Sequence, residues 1–381
     1  MRKSIIFIVP RLGVGGLELF LLRLAPKLVD SFDIKVVCIE GQGVLSREFK
    51  KANIEVIYLN LFSALYLPIM MIKLCLLLRR TKVDIIQTFL YPADFLMIIL
   101  KIFMPKRTKI IWSLRSTSLP RKSKKLSRFL RYSVTKFSNI TPDKVISCSN
   151  EALTFHQSIG YRTKNVVVIP NFGPDWTINV NSKSCLFLNE NPQEISLGLS
   201  ARFTPGKGHD FICKVIELNK KDINNTFKLT VKFSGLNTGK LGPLSEMIKS
   251  EYPDIYSSCY FSGQLIGEEY INWHKSIDLY VLCSDSLEGV PNTFLEASLI
   301  GTPLVGVNIG SSNLMASPSC LVPMELLTPE YFYNKIKFWY NLDIKNRKKL
   351  SKSNQELAKA NFNDQDIVEL YKSTYKNLFI S

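Results

Sequence analysis

Short apolar runs alternate with longer helical patterns along the first part of the chain. The runs "SIIFIVP", "FDIKVVCIE", "VDIIQTF", "TKIIWSL" and "DKVISCS" are apolar on both faces, which is typical of strands in a parallel sheet covered on both sides. Helix-length segments such as "GLELFLLRLAPKLVD" and "LYLPIMMIKLCLLLRR" lie between them. This βαβ order predicts an α/β, Rossmann-like domain over residues 1–175.

A break at residues 171–193 is rich in Asn, Pro and Ser, and it reads as a linker. The pattern then restarts with strand-like "EISLGLSARF", "FKLTVKFSG", "SCYFSGQ", "DLYVLCS" and "TPLVGVNIG" and helical "HDFICKVIELNKK". A second Rossmann-like domain is therefore predicted over residues 190–360. A last helix is predicted within residues 361–381, with one face formed by Ile367, Leu370, Tyr371, Thr374 and Leu378.

Composition narrows the class of protein. The 381 residues carry a formal charge of +17, which predicts an anionic partner such as a phosphate-bearing substrate, a membrane surface or nucleic acid. The eight cysteines show no C-x-x-C pair, and there are three histidines without ligand spacing, so buried thiols in a reducing cytosol and no metal are expected. The apolar stretches at 65–80 and 94–104 are interrupted by Lys73 and Lys101 and are shorter than the ~20 residues of a membrane span.

Two tandem domains of this kind predict a cleft between the carboxyl ends of two sheets, where ligands of open α/β folds bind. Three motifs follow predicted strands. The first, "PRLGVGGLELF", places Gly13, Gly15 and Gly16 at the start of a helix. Such glycines let a backbone approach a phosphate or a sugar, or they serve only a tight turn.

The second motif is "SARFTPGKGHDFI", in which Arg202 ends a strand and Lys207 lies in a loop shaped by proline and glycines. Two cations at the carboxyl end of a strand suit a diphosphate, because Arg binds it bidentately and Lys supplies a point charge. The alternative is a pair of solvated surface cations.

The third motif is "SDSLEGVPNTFLEASLIGTP", which begins at residue 284. Asn292 is predicted as the N-cap of a helix that ends at Gly301, and Glu296 lies ~6 Å along it. Glu288 occupies the preceding loop. A helix start attracts anions, and carboxylates accept hydrogen bonds from vicinal hydroxyls, so the motif indicates a ligand with diphosphate and sugar groups. The alternative is a solvated Glu288 and an ordinary first-turn Glu296.

These motifs resemble those of the retaining glycosyltransferases of the GT-B fold, family 4 ("glycosyl transferases group 1"). "GGLE" at residues 15–18 is similar to the family's "GGxE", and Arg202 with "KGH" at 207–209 is similar to its "RF…KGH". "EGVPNTFLEA", from Glu288 to 297, matches its E-x7-E motif. "VISCSNEALTFHQSIGY…VVVIPN" is similar to the segment before its linker, and the final helix resembles the one that crosses back onto its first domain. The resemblance covers essentially the whole chain.

The resemblance implies a hexosyltransferase-type enzyme that transfers a sugar from a nucleotide-sugar with retained configuration, without a metal or other cofactor. It assigns Arg202 and Lys207 to the leaving diphosphate, Glu296 to the ribose and Glu288 to the transferred sugar, with Arg202, Lys207 and Glu288 as catalytic residues. The implied donor contacts also include Gly15, Gly16, Gly289, Pro291, Asn292, Thr293 and Phe294.

Two positions depart from the family pattern. Arg115 in "IIWSLRST" stands where many relatives have a histidine, and Pro92 in "QTFLYPAD" stands where histidine is common. Arg115 is assigned to the acceptor side. "NFG" at residues 171–173 also replaces the usual "NG" after "IPN".

A basic stretch indicates a membrane surface. From residue 95 to 142 the chain has 12 Lys or Arg and no Asp or Glu, and "PRKSKKLSRFLRYSVTKF" interleaves the cations with apolar residues. Each cation near an anionic headgroup contributes about 1 kcal/mol. The alternative is a solvated basic surface. The cations of the predicted membrane surface are Arg121, Lys122, Lys124, Lys125, Arg128 and Arg131.

The combined hypothesis is a cytoplasmic enzyme, peripheral on the inner face of the cytoplasmic membrane, that glycosylates a lipid-linked or oligosaccharide acceptor in surface polysaccharide synthesis, such as lipopolysaccharide or capsule. One alternative is a sugar-nucleotide epimerase of the same fold. Another is a catalytically weak membrane-associated partner protein, suggested by Arg115 and Pro92. Nucleic-acid binding would account for the charge but not for the glutamates, and no nucleic-acid motif is present.

Overall fold

The computed structural model describes residues 2–61, 66–117, 125–162, 165–179, 186–188, 190, 192–285 and 288–380. The chain forms two compact units. The first comprises Met1–Phe172 and Asp364–Ser381, and the second comprises Gly173–Asn363.

The described part of the first unit is built on a parallel sheet with the strand order β3-β2-β1-β4-β5-β6-β7. Its strands are β1 (Lys3–Val9), β2 (Phe32–Cys38), β3 (Glu55–Tyr58), β4 (Ile85–Phe89), β5 (Lys109–Leu114), β6 (Lys144–Ser147) and β7 (Val166–Val168). Its helices up to the linker are α1 (Gly16–Leu28), α2 (Ser46–Lys51), α3 (Leu67–Arg80), α4 (Leu90–Leu100), α5 (Lys125–Lys136) and α6 (Asn150–Ser158).

The second unit repeats this architecture with the parallel strand order β10-β9-β8-β11-β12-β13 among its described residues. In chain order its elements are α7 (Trp176–Asn179), β8 (Glu194–Ser200), α8 (His209–Lys221), β9 (Lys228–Ser234), α9 (Pro243–Glu251), β10 (Cys259–Phe261), α10 (Gly267–Lys275), β11 (Leu279–Leu282), α11 (Asn292–Ile300), β12 (Leu304–Val307), β13 (Leu321–Val322), α12 (Pro329–Asn341) and α13 (Ile344–Asn361).

The α/β fold class predicted from the apolar runs is confirmed, because both sheets are parallel and each quoted run contains a strand. Central strands are buried on both faces, as β1 shows with Ile5 to Val9 at 0–1% exposure. Three strands, β3, β7 and β13, lie outside the predictions. They are edge strands of two to four residues, too short to produce a recognisable alternation.

The last helix, α14 (Asp364–Asn377), returns to the first unit and packs on α1. Its buried face contains Ile367, Tyr371 and Thr374, as predicted, but Leu370 is 45% exposed. Val368 and Tyr375 are buried instead. The prediction for Leu370 was wrong because the buried residues of α14 form a narrow stripe along the helix. Leu370 lies just outside this stripe, on the solvent side.

The cysteines agree with the expectation of buried thiols within the described residues. Cys38, Cys148, Cys213, Cys259, Cys283 and Cys320 are buried and unbridged, and Cys75 is partly buried. Burial raises the pKa of the Cys38 thiol to about 11, so this group stays protonated at neutral pH.

Candidate functional site

The loop between β8 and α8 carries the two predicted diphosphate-binding cations. Gly208 precedes α8 with φ at +81°, a left-handed conformation that favours glycine. A Cβ at this position would lie 2.4 Å from both Cβ and the carbonyl oxygen of Cys283. The glycine therefore allows the loop to pack directly on the end of β11, which explains the glycine that follows Lys207.

Lys207 is ion-paired with Glu288. The Lys207 side chain is 31% exposed and that of Glu288 is 19% exposed, so both groups are partly accessible to a ligand. The two loops are also joined by Ser284, whose hydroxyl donates to the carbonyl of Gly206 over 2.8 Å. Arg202 is exposed on the same loop as Lys207. The structure thus brings two of the three predicted catalytic residues into contact.

A turn after β12 supports the backbone at Glu288. The Ser311 amide donates to the carbonyl of Gly289 over 2.9 Å, and the Ser311 hydroxyl approaches the same oxygen at 3.2 Å. Gly310 lies so close that a Cβ there would be 2.4 Å from the Glu288 carbonyl oxygen. Sequence reasoning missed this support. The "NIGSSN" turn could have been a signal, but nothing in the sequence indicates which loop it contacts.

Glu296 is buried in α11, with 6% exposure. The Tyr270 hydroxyl donates to its Oε2 over 3.1 Å and lies 3.3 Å from the Ser200 hydroxyl. Burial raises the pKa of Tyr270, and the negative charge of Glu296 raises it further, so the phenol remains a donor. The carboxylate is therefore held in place by α10, a contact that sequence reasoning also missed.

The helix start differs by one residue from the prediction. Pro291 is the N-cap of α11 and Asn292 is its first residue, so the predicted N-cap role of Asn292 was wrong. Thr293 approaches the Ser200 carbonyl at 3.2 Å and accepts from the Tyr280 hydroxyl over 2.6 Å. Phe294 is fully buried, so only its backbone could contact a ligand.

The histidine of the "KGH" sequence is a packing residue. His209 is buried, with its ring 5.4 Å from the Phe203 ring and 5.7 Å from the Phe233 ring. Burial lowers its pKa to about 4, so the imidazole is neutral at pH 7. It therefore braces the Lys207 loop without adding charge.

The predicted glycines of the first unit lie at the start of α1. Gly15 is the N-cap, and a Cβ there would lie 2.5 Å from a carboxylate oxygen of Glu18. Glu18 is buried at 8% exposure, with Arg11 at 3.9 Å. The "GGLE" sequence therefore folds the glutamate back over its own helix start, next to the position that a side chain at residue 15 would occupy.

Arg115, predicted on the acceptor side, follows β5 in the first unit. Its guanidinium lies 4.3 Å above the Phe20 ring and donates to Asn171 over 2.6 Å and to the Tyr371 hydroxyl. Asn171 immediately precedes Phe172, the last residue of the unit before the chain leaves it, and Tyr371 belongs to α14. The guanidinium therefore connects the end of β5 to the segment at Asn171 and to α14.

The predicted membrane-surface cations lie partly in α5. Lys125, Arg128 and Arg131 belong to this helix, whereas Arg121, Lys122 and Lys124 lie outside the described residues. Leu126, Phe129 and Tyr132 of α5 are 56–66% exposed. Basic and large apolar side chains therefore share the outer surface of this helix.

The described ranges contain neither a metal-binding cluster nor a membrane-spanning helix. No group of three or more His, Cys, Asp or Glu side chains there could hold a metal ion. No helix in the same ranges has both the length and the apolar character of a membrane span.

Two family models match the chain. A "Glycosyltransferase Family 4" model matches residues 14–172, and a "Glycosyl transferases group 1" model matches residues 194–340. Together they span most of the chain. A sequence comparison with curated proteins finds no match.

Several solved structures have the same fold. HepE from Anabaena, crystallised with UDP-glucose, superposes with a TM-score of 0.80 at 18% identity and covers 99% of this chain and 100% of its own. Sucrose-phosphate synthase from Thermosynechococcus elongatus has a TM-score of 0.76 at 16% identity, with 100% of both chains covered. The lipopolysaccharide outer core galactosyltransferase WaaB has a TM-score of 0.69 at 14% identity, covering 98% of this chain and 100% of its own.

The two parallel-sheet units and these matches define a glycosyltransferase of the GT-B fold. The chain belongs to the family 4 glycosyltransferases, of the "glycosyl transferases group 1" type. The fold, the family and the enzyme class expected from the sequence motifs are therefore confirmed.

Proposed function

We propose that the chain transfers a sugar from a nucleoside-diphosphate sugar, held by the second unit, to a lipid-linked or oligosaccharide acceptor with retention of configuration. The observation that carries the proposal is the Lys207–Glu288 ion pair at the carboxyl ends of the strands, the edge at which ligands of such sheets bind. HepE, crystallised with UDP-glucose, supports a nucleotide-sugar donor.

Different residues of the second unit bind different parts of the donor. Lys207 and Arg202 bind the diphosphate and stabilise the negative charge that develops as the bond to the anomeric carbon breaks. As the Lys207 ammonium turns to the phosphate, the Glu288 carboxylate becomes available to hydroxyls of the transferred sugar. Glu296, oriented by Tyr270, accepts hydrogen bonds from the ribose hydroxyls. The α11 helix start, with the backbone at Gly289, adds favourable dipoles near the phosphates.

Retention rests on the family resemblance, and no covalent nucleophile or metal is assigned. The new bond to the acceptor oxygen forms on the face of the anomeric carbon that the diphosphate leaves. Gly15 and Gly16 are proposed to approach the donor through backbone groups. Arg115 is proposed to act on the acceptor side indirectly, by fixing the end of β5, since its guanidinium already bonds Asn171 and Tyr371.

The first unit is proposed to dock on the inner face of the cytoplasmic membrane. α5 carries Lys125, Arg128 and Arg131 beside the exposed Leu126, Phe129 and Tyr132. α3, which packs on α4 as α5 does, exposes Ile69, Ile72 and Leu76 along one stripe and ends in Arg79 and Arg80. Apolar side chains between cations suit an anionic bilayer. A role in surface polysaccharide synthesis is supported by the likeness to WaaB.

A donor panel tests the proposal. Purified enzyme is incubated with radiolabelled nucleotide-sugars and with membrane extract as the acceptor, and label in the lipid-extractable and polymer fractions is counted. One donor should give acceptor-dependent transfer, and NMR of the product anomeric centre should report the donor's configuration. Interconversion of the donor without acceptor would instead indicate an epimerase, and an inverted product would contradict retention.

A further inference from the structure

A cavity of about 660 Å³ opens on one face of the second sheet. Strand residues and the turn before β11 line it, and none of the residues assigned to the donor contributes. The lining side chains that matter are Glu194, Ser196, Lys232, Tyr260, Lys275 and Asp278.

The sheet face beneath the cavity is polar, which is unusual for a parallel sheet. One face of β8 and β9 buries Ile195, Leu197, Leu229 and Val231. The alternate residues Ser196, Thr230 and Lys232 lie on the opposite face. The strand register places Ser196 beside Thr230 and Lys232 beside Tyr260. Polar side chains therefore stand on a part of the sheet where apolar ones are usual.

The polar groups are held in fixed positions. Glu194 accepts from the Thr230 hydroxyl over 3.2 Å, and Asp278 accepts from the Ser196 amide over 2.9 Å. Lys232 donates to the Ser276 carbonyl over 2.7 Å. The Ser196 hydroxyl, on a residue 8% exposed, has no hydrogen-bond partner among the described residues. This hydroxyl is itself closed off from solvent, so it is an unsatisfied polar group beneath the cavity rather than a direct ligand contact.

The charges identify the class of ligand. Two carboxylates, Glu194 and Asp278, balance two ammonium groups, Lys232 and Lys275, so the cavity has no net attraction for a phosphate. Paired acceptors and donors suit the hydroxyls of a sugar. Tyr260 is 48% exposed and presents a flat apolar ring at the same place. An aromatic ring beside a few fixed polar groups is the usual composition of a small-molecule pocket.

We propose that this cavity is a second carbohydrate-binding site, which holds a neutral pyranose unit of a glycan against Tyr260, with its hydroxyls on Glu194, Asp278 and Lys232. The site needs neither the donor nor the membrane. A glycan chain bound here stays on the enzyme between transfers, because a second contact raises its effective concentration.

Isothermal titration calorimetry on the full chain tests the site, with UDP present so that any donor-site binding is saturated. The probes are neutral trisaccharides of glucose, galactose or N-acetylglucosamine, and inorganic phosphate is the anionic comparison. At least one trisaccharide should bind with a dissociation constant on the order of 1 mM. Tyr260→Ala should weaken binding about 10-fold, equivalent to losing one good contact.

Two further variants keep the result interpretable. Glu194→Gln retains shape and should also weaken trisaccharide binding, and circular dichroism checks that each variant folds. Tyr331→Ala removes a tyrosine of α12 that is also partly exposed (36%) but does not line the cavity, and it should leave binding unchanged. The proposal is overturned if no trisaccharide binds up to about 20 mM, if Tyr260→Ala binds like wild type, or if phosphate displaces the sugar.

Discussion

The ammonium group of Lys207 is paired with the carboxylate of Glu288, although 81 positions separate the two residues in sequence. Lys207 lies after β8 and Glu288 lies after β11, and these strands are parallel neighbours that end at the same edge. The pair keeps both partly buried charges compensated, which avoids the cost of an unpaired charge. Under the proposed function, the same two groups would exchange partners with a phosphate and a sugar.

Replacement of Lys207 by Met should slow catalysis strongly. The diphosphate would leave without the ammonium that stabilises its charge, and loss of one such donor typically lowers kcat by about 10²–10³-fold. Steady-state kinetics with the donor identified by the panel would measure this effect.

Lys214→Met is the matched control. Lys214 lies in the adjacent α8 and is ion-paired with Asp210 at 2.7 Å, but both side chains are about half exposed. An exposed pair contributes little, so kcat should change by less than about two-fold. Equal losses in both variants, or a nearly normal kcat for Lys207→Met, would contradict the assigned role.

Glu296→Gln should weaken donor binding. A ribose hydroxyl would lose a charged acceptor in a buried position, which predicts about 10-fold weaker UDP binding by calorimetry. Tyr270→Phe should have a smaller effect in the same direction, because it removes the hydroxyl that orients Glu296 but keeps the ring stacked 5.8 Å from Trp273.

Glu251→Gln provides the comparison for Glu296. Glu251 is an exposed residue at the end of α9 in the same unit, and its amide variant should bind UDP like wild type. Unchanged UDP affinity in Glu296→Gln would remove the ribose assignment while leaving the Lys207 prediction intact.

The sequence predicted central strands and strand-end motifs well because both are local. β1, β8 and β11 appear as apolar runs, and Lys207 and Glu288 follow such runs within a few residues. The contact partners were not predictable in the same way. Tyr270 reaches Glu296 from a different helix, and a contact of this kind depends on packing that no local pattern encodes.

The short edge strands and the face of α14 were missed for related reasons. β13 has two residues and therefore no period, and Leu370 shares the helical spacing of its neighbours but faces outward. The contacts of Arg115 were likewise not predictable from the local sequence. Its position marks the end of β5, but its bonds to Asn171 and Tyr371 follow from where the returning helix lies.

Arg347→Met should destabilise the second unit. The guanidinium is fully buried and donates to the carbonyls of Phe187, Glu190, Trp339 and Tyr340. Trp339 and Tyr340 belong to the last turn of α12, where a cation also complements the helix dipole. Methionine would leave several buried carbonyls unpaired, which predicts a loss of about 3 kcal/mol in the free energy of unfolding, measured by urea denaturation.

Lys348→Met is the control for this variant, since Lys348 is the next residue of α13 and is exposed. Its urea midpoint should remain close to that of wild type. A small change for Arg347→Met would mean that water replaces the lost donors.

Charge reversal on α5 should release the protein from anionic vesicles. Changing Lys125, Arg128 and Arg131 to Glu removes three favourable headgroup contacts of about 1 kcal/mol each and adds repulsion, so binding should fall by about 100-fold or more. Co-sedimentation with phosphatidylglycerol vesicles at low and high salt measures this binding.

The same reversal at Lys345, Lys348 and Lys349 of α13 is the charge-matched control. Equal loss in both triples, or no binding by wild type, would contradict membrane docking through α5.

Asp94 is a fully buried carboxyl in α4 of the first unit. Its partner is the Thr88 hydroxyl, which donates to Oδ1. Burial raises the pKa of Asp94 to about 8, and the Thr88 bond opposes this only in part. Its neighbour Tyr91 has a pKa raised to about 12 by burial and by the Asp94 charge, so this phenol stays protonated wherever Asp94 titrates.

The direction of each pKa shift determines whether the free energy of unfolding rises or falls with pH. Folded Asp94 holds a proton that the unfolded chain releases above its ordinary pKa of 3.8, so its contribution to stability is lost as pH rises from about 4 to 8. Burial lowers the pKa of His209 and of His156 to about 4. Below pH 6.5 the unfolded chain binds protons that these folded histidines do not, so their effect is to make the protein more stable as pH rises towards 6.5. Between pH 6.5 and 8 the Asp94 effect therefore acts without opposition from these histidines.

Asp94→Asn should consequently remove a pH dependence rather than simply change stability. Wild type should lose about 2 kcal/mol in the free energy of unfolding between pH 6.5 and 8, since each pH unit corresponds to about 1.4 kcal/mol per proton. The amide keeps an oxygen that can accept from Thr88 but cannot ionise, so the variant should be nearly flat over this range. Urea denaturation at several pH values measures both curves, with the exposed Asp254→Asn as control. Parallel curves for wild type and Asp94→Asn would show that Asp94 is already ionised in the folded protein.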